Sequence, residues 1–133
     1  MHELRRPVHF QDVDAAGIVF FACFFTYAHD AMVSLFDTVP GGYAGFINDK
    51  KLGFPAVHAE ADFKAPLRFG DVATIRVTAA HIGQKSATLR FEILRDGATC
   101  AVVTNTVVMT DLVAMKGVAL TSDVRALLEA HPR

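Results

Sequence analysis

Two carboxylates two residues apart, Asp12 and Asp14, sit in a polar stretch that runs through Gly17 into Ile18-Val19-Phe20-Phe21 and a long apolar segment. A carboxylate can attack a carbonyl carbon or activate a water that does so. The first N–H groups of a helix have no intrahelical acceptor, and the helix dipole adds positive potential there. A base or nucleophile beside such donors suits attack on a carbonyl whose oxygen needs stabilising as charge develops. Asp12 and Asp14 point apart if the segment is extended, because alternate side chains oppose one another. That geometry separates their roles, and Asp12 is expected to be structural. An aspartate in such a place also stabilises turns and caps helices, which is the competing role for Asp14.

The elements that would hold this stretch can be read from periodicity. Val8 to Gln11 is a short β-compatible run after Pro7, expected at a sheet edge. From about Val19 to Val39, Phe20, Phe24, Tyr27, Ala28, Ala31, Leu35 and Phe36 recur at spacings of three and four. Thr26, Asp30, Ser34 and Asp37 make only a narrow polar stripe, so this helix should be buried on most of its circumference. Pro40-Gly41-Gly42 stops it, and Tyr43 to Lys51 reads as a short helix or ordered loop.

The pattern then changes to that of strands. Val57, Ala59, Ala61, Phe63 and Ala65 alternate with His58, Glu60, Asp62 and Lys64, and Pro66 interrupts the run. Val72 to Ile82, Ala87 to Ile93 and Cys100 to Thr110 are three more strands, with Asp96-Gly97 marking a type I′ hairpin. Short connections favour an antiparallel meander. Thr121 or Ser122 can cap a last helix, Asp123 to Ala130. The order gives one α+β domain over residues 1–133, an antiparallel sheet curled around one long central helix. The alternating Val57 strand is a candidate dimer edge.

Composition narrows the function classes. The 133-residue chain carries 13 basic and 14 acidic residues, interspersed, for a net charge of −1, which leaves no electrostatic footprint for nucleic acid. With 52% apolar residues and eleven Phe, it has more greasy surface than a small monomer hides, which predicts oligomerisation or an apolar pocket. Cys23 and Cys100 form no Cys-x-x-Cys pair, so neither a disulfide framework nor a metal site is expected. The N-terminal residues lack the apolar region of a secretory signal, and Gly17 to Phe25 is about half a membrane span. A soluble, cytoplasmic protein is expected. No Gly-x-Ser-x-Gly elbow is present, which removes the serine-hydrolase route.

Asp12-Val13-Asp14-Ala15-Ala16-Gly17-Ile18-Val19-Phe20-Phe21, then Asp62-Phe63-Lys64-Ala65-Pro66-Leu67-Arg68-Phe69-Gly70-Asp71, then the meander, resemble the hot-dog fold of the 4-hydroxybenzoyl-CoA thioesterase family over about Val8 to Leu120. His29-Asp30-Ala31 and Pro55-Ala56-Val57-His58-Ala59 are further similar to the 1,4-dihydroxy-2-naphthoyl-CoA thioesterases of quinone biosynthesis. The resemblance implies an acyl-CoA thioesterase acting on an aromatic acyl group, with 1,4-dihydroxy-2-naphthoyl-CoA as first choice. It makes Asp14 the catalytic nucleophile or general base and the backbone N–H of Phe21 the group that polarises the thioester carbonyl. Gly17 would let the ligand approach closely.

His29 could orient the acyl group or a water, and His58 could reach substrate across a dimer interface; each is equally an ordinary partly buried or solvated histidine. Phe24 and Phe25, with Phe20, would line an acyl pocket or simply pack the core. Lys85, Arg90 and Arg68 are the candidate partners for CoA phosphates. No metal or redox cofactor is expected, CoA being part of the substrate, and a homodimer or homotetramer is expected. The alternatives are a 4-hydroxybenzoyl-CoA, fatty acyl-CoA or acyl-carrier-protein thioesterase on the same scaffold, and a hot-dog protein that binds acyl thioesters without turnover.

Overall fold

The computed structural model describes residues 1–133. Its elements in chain order are β1 (His2–Pro7), a 3-10 turn (Phe10–Asp12), α1 (Cys23–Phe36), α2 (Gly42–Asn48), β2 (Leu52–Gly53), β3 (Ala56–Phe63), β4 (Val72–Ile82), β5 (Ser86–Arg95), β6 (Ala98–Val108), β7 (Thr110–Asp111), β8 (Lys116–Gly117) and α3 (Ser122–Glu129). The five long strands form one antiparallel sheet in the order β1-β4-β5-β6-β3, and β2-β7-β8 form a small second sheet. The large sheet packs on α1 through β4, β1 and β6, which is the α+β hot-dog arrangement.

Burial follows the sequence periods. β4 buries Ala73, Ile75, Val77 and Ala79, and β5 buries Ala87, Leu89, Phe91 and Ile93, each strand with its alternate residues turned outward. α1 buries Phe24, Tyr27, Ala28, Ala31, Met32, Leu35 and Phe36 against that face. The Asp96-Gly97 turn has φ of 50° and 81° at its two residues, the positive values a type I′ hairpin requires. Phe36, Phe46 and Phe54 pack ring on ring beside Tyr43, which accounts for part of the aromatic excess.

Several boundaries differ from the sequence expectation. The first strand is His2–Pro7, not Val8 to Gln11, whose residues enter a 3-10 turn instead. α1 begins at Cys23 rather than near Val19, because Val19 is held by an antiparallel bridge to Val13 and by donation of its N–H to the Leu67 carbonyl at 2.8 Å. The meander covers only β4, β5 and β6; β3 crosses over to pair with β6 at the far edge. Backbone pairing decides that neighbour, and the alternation inside β3 carries no information about it.

The polar stripe of α1 is not simply solvated. Asp30 accepts from Arg6 Nε at 2.8 Å, and Ser34 Oγ lies 2.8 Å from His2 Nε2, both on β1. Arg6 also reaches Asp12, whose Oδ2 accepts from Arg6 Nη1 at 2.9 Å, the His9 N–H at 3.0 Å and the Tyr27 hydroxyl at 2.9 Å. Asp12 is only 5% exposed. Burial by itself disfavours its charge, but the hydrogen bonds from Arg6, His9 and Tyr27 outweigh that and bring its pKa below the ordinary 3.8. Burial, with the Asp12 hydrogen bond, raises the pKa of the Tyr27 phenol well above its ordinary value.

Removing the charge of Asp12 leaves Arg6 and Tyr27 facing an uncharged partner. Asp12→Asn should lower unfolding stability by about 3 kcal/mol, the range for breaking a buried pair, as measured in denaturant. Because the folded pKa of Asp12 is depressed, its contribution is complete above the unfolded value and is lost as pH falls through the folded one. The gap between wild type and Asp12→Asn should therefore close when melts are run at pH values well below 3.8.

Candidate functional site

Asp14 lies in a loop that folds on itself. Its N–H donates to the Ile18 carbonyl and its own carbonyl accepts the Gly17 N–H, both at 2.9 Å. Its Oδ1 accepts the Ala16 N–H at 2.8 Å and lies 3.5 Å from the Ile18 N. This is an Asx-type turn, and the Gly17 that follows it adopts a left-handed backbone at φ 76°. The expectation of a carboxylate directly before the helix is corrected here: eight residues separate Asp14 from Cys23, and Asp14 bonds to N–H groups of its own loop. The carboxylate is nonetheless exposed at the surface, with Oδ2 making no bond within the chain.

The loop is pinned to the segment after β3. Ile18 bridges Arg68, Phe69 donates its N–H to the Gly17 carbonyl at 3.1 Å, and Phe20 donates its N–H to the Asp12 carbonyl at 2.9 Å. The chain then turns through Phe21 and Ala22 into α1. Cys23, Phe24 and Phe25 donate their N–H groups to the carbonyls of Phe20, Phe21 and Ala22, whereas the Phe21 N–H has no backbone acceptor. An unpaired N–H at a helix entry is a donor available to an oxygen anion.

Beside it opens an apolar cavity of about 320 Å³ between the helix entry and the end of β3. Its walls include Ile18, Phe21, Phe24, Phe63, Lys64 and Pro66. The Phe24 and Phe63 rings meet edge to face at 5.3 Å, and Phe21 and Phe63 at 6.5 Å. Phe21 therefore brings an aromatic ring to this cavity, and its unpaired N–H lies at the same helix entry. Phe25 does not line it; it is half-buried and packs on the core. Lys64 does line it, although in sequence it reads as part of the polar face of a strand. Its place in the Asp62 to Asp71 block, two residues before Pro66, is the signal that could have found it.

A second cavity, of about 380 Å³, lies at the other end of β3. His29 and Met32 of α1, Tyr43, Phe54, Asn105 and Thr110 are among its walls, and the His29 and Tyr43 rings meet edge to face at 6.4 Å. Thus His29 and Phe21, on one helix and its entry, face different cavities. His58 is exposed near the start of β3, its Nε2 3.8 Å from Glu60 Oε1, and lines neither cavity.

The candidate cations are dispersed. Arg90 stands on the outer face of the sheet in a polar cleft with Glu60, Asp62, Lys64 and His81; Lys85 is exposed in the turn before β5; Arg68 is exposed with its N–H donating to Asp71 Oδ2 at 2.9 Å. They do not converge on one phosphate-sized site. Burial raises the thiol pKa of both Cys23 and Cys100, which keeps them protonated and weak as nucleophiles. No group of three or more His, Cys, Asp or Glu is placed to hold a metal ion, and no helix is long and apolar enough to cross a membrane.

An aspartate loop pinned ahead of a central helix, with a sheet curled round that helix, defines the class: a hot-dog domain of the thioester hydrolases. Residues 8–128 match the thioesterase-like superfamily, and the chain belongs to it. It is 30% identical over 92 residues, 69% of its length, to a 1,4-dihydroxy-2-naphthoyl-CoA hydrolase of Crocosphaera subtropica, and 33% identical over 89 residues, 67% of its length, to one of Nostoc punctiforme. Those matches cover 67% and 60% of the two relatives, so the chain spans about two thirds of their length or less. Among solved structures, a gentisyl-coenzyme A thioesterase superposes with a TM-score of 0.84 at 31% identity, covering 96% of this chain and 98% of that one. A thioesterase superfamily protein from Jannaschia sp. CCS1 gives 0.90 at 28% identity, covering 98% and 92%.

A Cβ placed on Gly17 meets nothing within 4 Å, so the whole cost of a side chain there is backbone strain. Gly17→Ala should lower unfolding stability by about 1–2 kcal/mol, the penalty of a left-handed L-residue, as read from denaturant melts.

Proposed function

We propose that the protein hydrolyses an aromatic acyl-CoA, with 1,4-dihydroxy-2-naphthoyl-CoA as the leading substrate. The reaction reading is carried by the Phe21 N–H, a donor without a backbone acceptor at the wall of an apolar cavity. The choice of acyl group is supported by the names of the relatives at about 30% identity.

In this reading the thioester oxygen accepts from the Phe21 N–H, and negative charge that builds on it as the carbonyl carbon becomes tetrahedral is stabilised there. Asp14 either attacks the carbonyl carbon, expelling the CoA thiolate and leaving a mixed anhydride that water cleaves, or takes a proton from the water that attacks. In both cases the products are the free acid and CoA thiol. The reaction needs no metal or redox cofactor.

The site is completed by a second copy of the chain. β3 ends the sheet with a free edge, and seven of its eight residues are exposed, Val57 at 65% and Phe63 at 50% among them. A long, unpaired edge with exposed apolar residues is a template for another strand. The two cavities lie at opposite ends of β3, about 23 Å apart at the rise of an extended strand. Antiparallel pairing of β3 with its copy about a twofold axis sets the Phe63 end of one chain beside the Ala56 end of the other. The cavity at Phe21 in one protomer then adjoins the partner's cavity at His29, with His58 between them.

Asp14→Asn should reduce turnover by about 10²- to 10⁴-fold on a panel of naphthoyl, benzoyl and straight-chain CoA esters while CoA binding is retained. Unchanged turnover would remove Asp14 from the reaction, and a wild type inert on every ester would make the protein a binder. Transfer of ¹⁸O from water into the Asp14 carboxylate in single turnover marks an anhydride opened at the Asp14 carbon; where no label enters, rapid-quench trapping of an acyl-enzyme marks an anhydride opened at its acyl carbon, and its absence marks the base. Light scattering should give twice the chain mass or a multiple of it; a monomer with full activity would rule out the composite site.

A further inference from the structure

The inner face of β6 is a row of Ala101, Val103, Asn105 and Val107, of which all but Asn105 are buried apolar residues. Asn105 pairs with Leu89 of β5, which is fully buried, and with Ala59 of β3, so its side chain is turned toward the helix side of the sheet. Its Oδ1 is buried and accepts no hydrogen bond. A polar group of this kind costs free energy at a position where Val or Leu would pack without penalty, and native structures leave few such groups unpaired.

Asn105 forms part of the wall of the cavity at His29 and Tyr43. The other polar group deep in that wall, the Thr110 hydroxyl, already donates to the Val108 carbonyl at 2.9 Å. Burial raises the pKa of the Tyr43 phenol, so it stays neutral and keeps its proton to donate. An apolar chamber of about 380 Å³ with a few convergent polar groups has the form of a small-molecule site. The unpaired oxygen specifies the missing partner as a donor.

We infer that Asn105 is the residue that selects a hydroxylated acyl group: a hydroxyl on a flat aromatic ring enters the cavity at His29, and the Asn105 amide turns so that its Oδ1, closed off within the chain alone, accepts from it. The inference rests on the functional reading above, and on the pairing of β3 that brings this cavity to the thioester. It adds that selection between a hydroxylated ring and its deoxy counterpart is made at this amide. A site built to hydrogen-bond a hydroxyl discriminates because the deoxy ligand leaves the buried oxygen unpaired.

The test compares free acids, so that binding is read without turnover. Titration calorimetry on wild type should show 1,4-dihydroxy-2-naphthoic acid binding about three- to tenfold more tightly than 2-naphthoic acid, the range for one buried hydrogen bond. In Asn105→Leu, which keeps the shape and removes the amide, that advantage should shrink to below about twofold, while the melting temperature stays at or above that of wild type. A merely structural asparagine would lower the melting temperature and leave the ratio unchanged. Asn105→Ser, which shortens the side chain away from the ligand, should flatten the ratio in the same way and serves if the leucine variant does not fold. An intact ratio in the folded variant, no preference in wild type, or no binding of either acid overturns the inference. Failure of the functional reading is separately visible as bound acid with no hydrolysis of any thioester.

Discussion

The Asp12 carboxylate is the contact on which the placement of the site depends. It accepts from Arg6 on β1, from the His9 N–H at the start of the 3-10 turn and from the Tyr27 hydroxyl on α1, and so ties together three parts of the chain that share no continuous hydrogen-bond ladder. Arg6 extends the tie to Asp30, and its guanidinium lies 4.2 Å from the centre of the Tyr27 ring. Every partner of the buried charge is itself fixed by secondary structure or packing. Asp14 stands two residues further on, on a loop whose base is this network. The two aspartates therefore divide the work, one buried to hold the loop and one exposed at its tip.

Pinning by backbone bonds completes the loop. The Asp14 turn, the bridge from Ile18 to Arg68 and the donation from Phe69 to the Gly17 carbonyl join it to the segment after β3, whose Lys64, Ala65 and Pro66 form part of the apolar cavity. Helix entry, loop and strand end thus meet at one place for separate local reasons. The Phe21 amide is free because the chain turns there before the helical pattern of bonds begins, which is the ordinary fate of N–H groups at a helix entry. The aromatic excess divides in the same way, Phe36, Phe46 and Phe54 filling the core and Phe20, Phe21 and Phe63 standing exposed around the helix entry and the end of β3.

Within one chain the features are left in two halves. The cavity at Phe21 and the cavity at His29 occupy opposite ends of β3, and β3 carries the free edge of the sheet. An edge that pairs with its own copy converts this separation into adjacency, because antiparallel pairing exchanges the ends of the strand. Asn105, Thr110 and Tyr43 belong to the second half. On the proposed pairing of β3 with its copy, the apolar face of β3 and the stray polar residue on β6 have one explanation, a pocket shared between two copies.

The sequence by itself determined the elements with strong periods: the central helix, the strand Val72–Ile82 to the residue, the Asp96-Gly97 hairpin and the last helix, where Thr121 takes the N-cap position without a side-chain capping bond. It also separated Asp14 from Asp12 and marked Gly17, since turn chemistry is local and a glycine at positive φ leaves a local signature. Tertiary structure decided the rest. Pairing with the Leu67 segment delayed the helix start to Cys23, because long-range backbone bonds compete with helix propensity and period cannot register them. It placed β3 beside β6, dispersed Lys85, Arg90 and Arg68, and turned Asn105 inward as an unpaired acceptor in an apolar wall. Those are properties of which surfaces meet, and which surfaces meet depends on residues far apart in the chain.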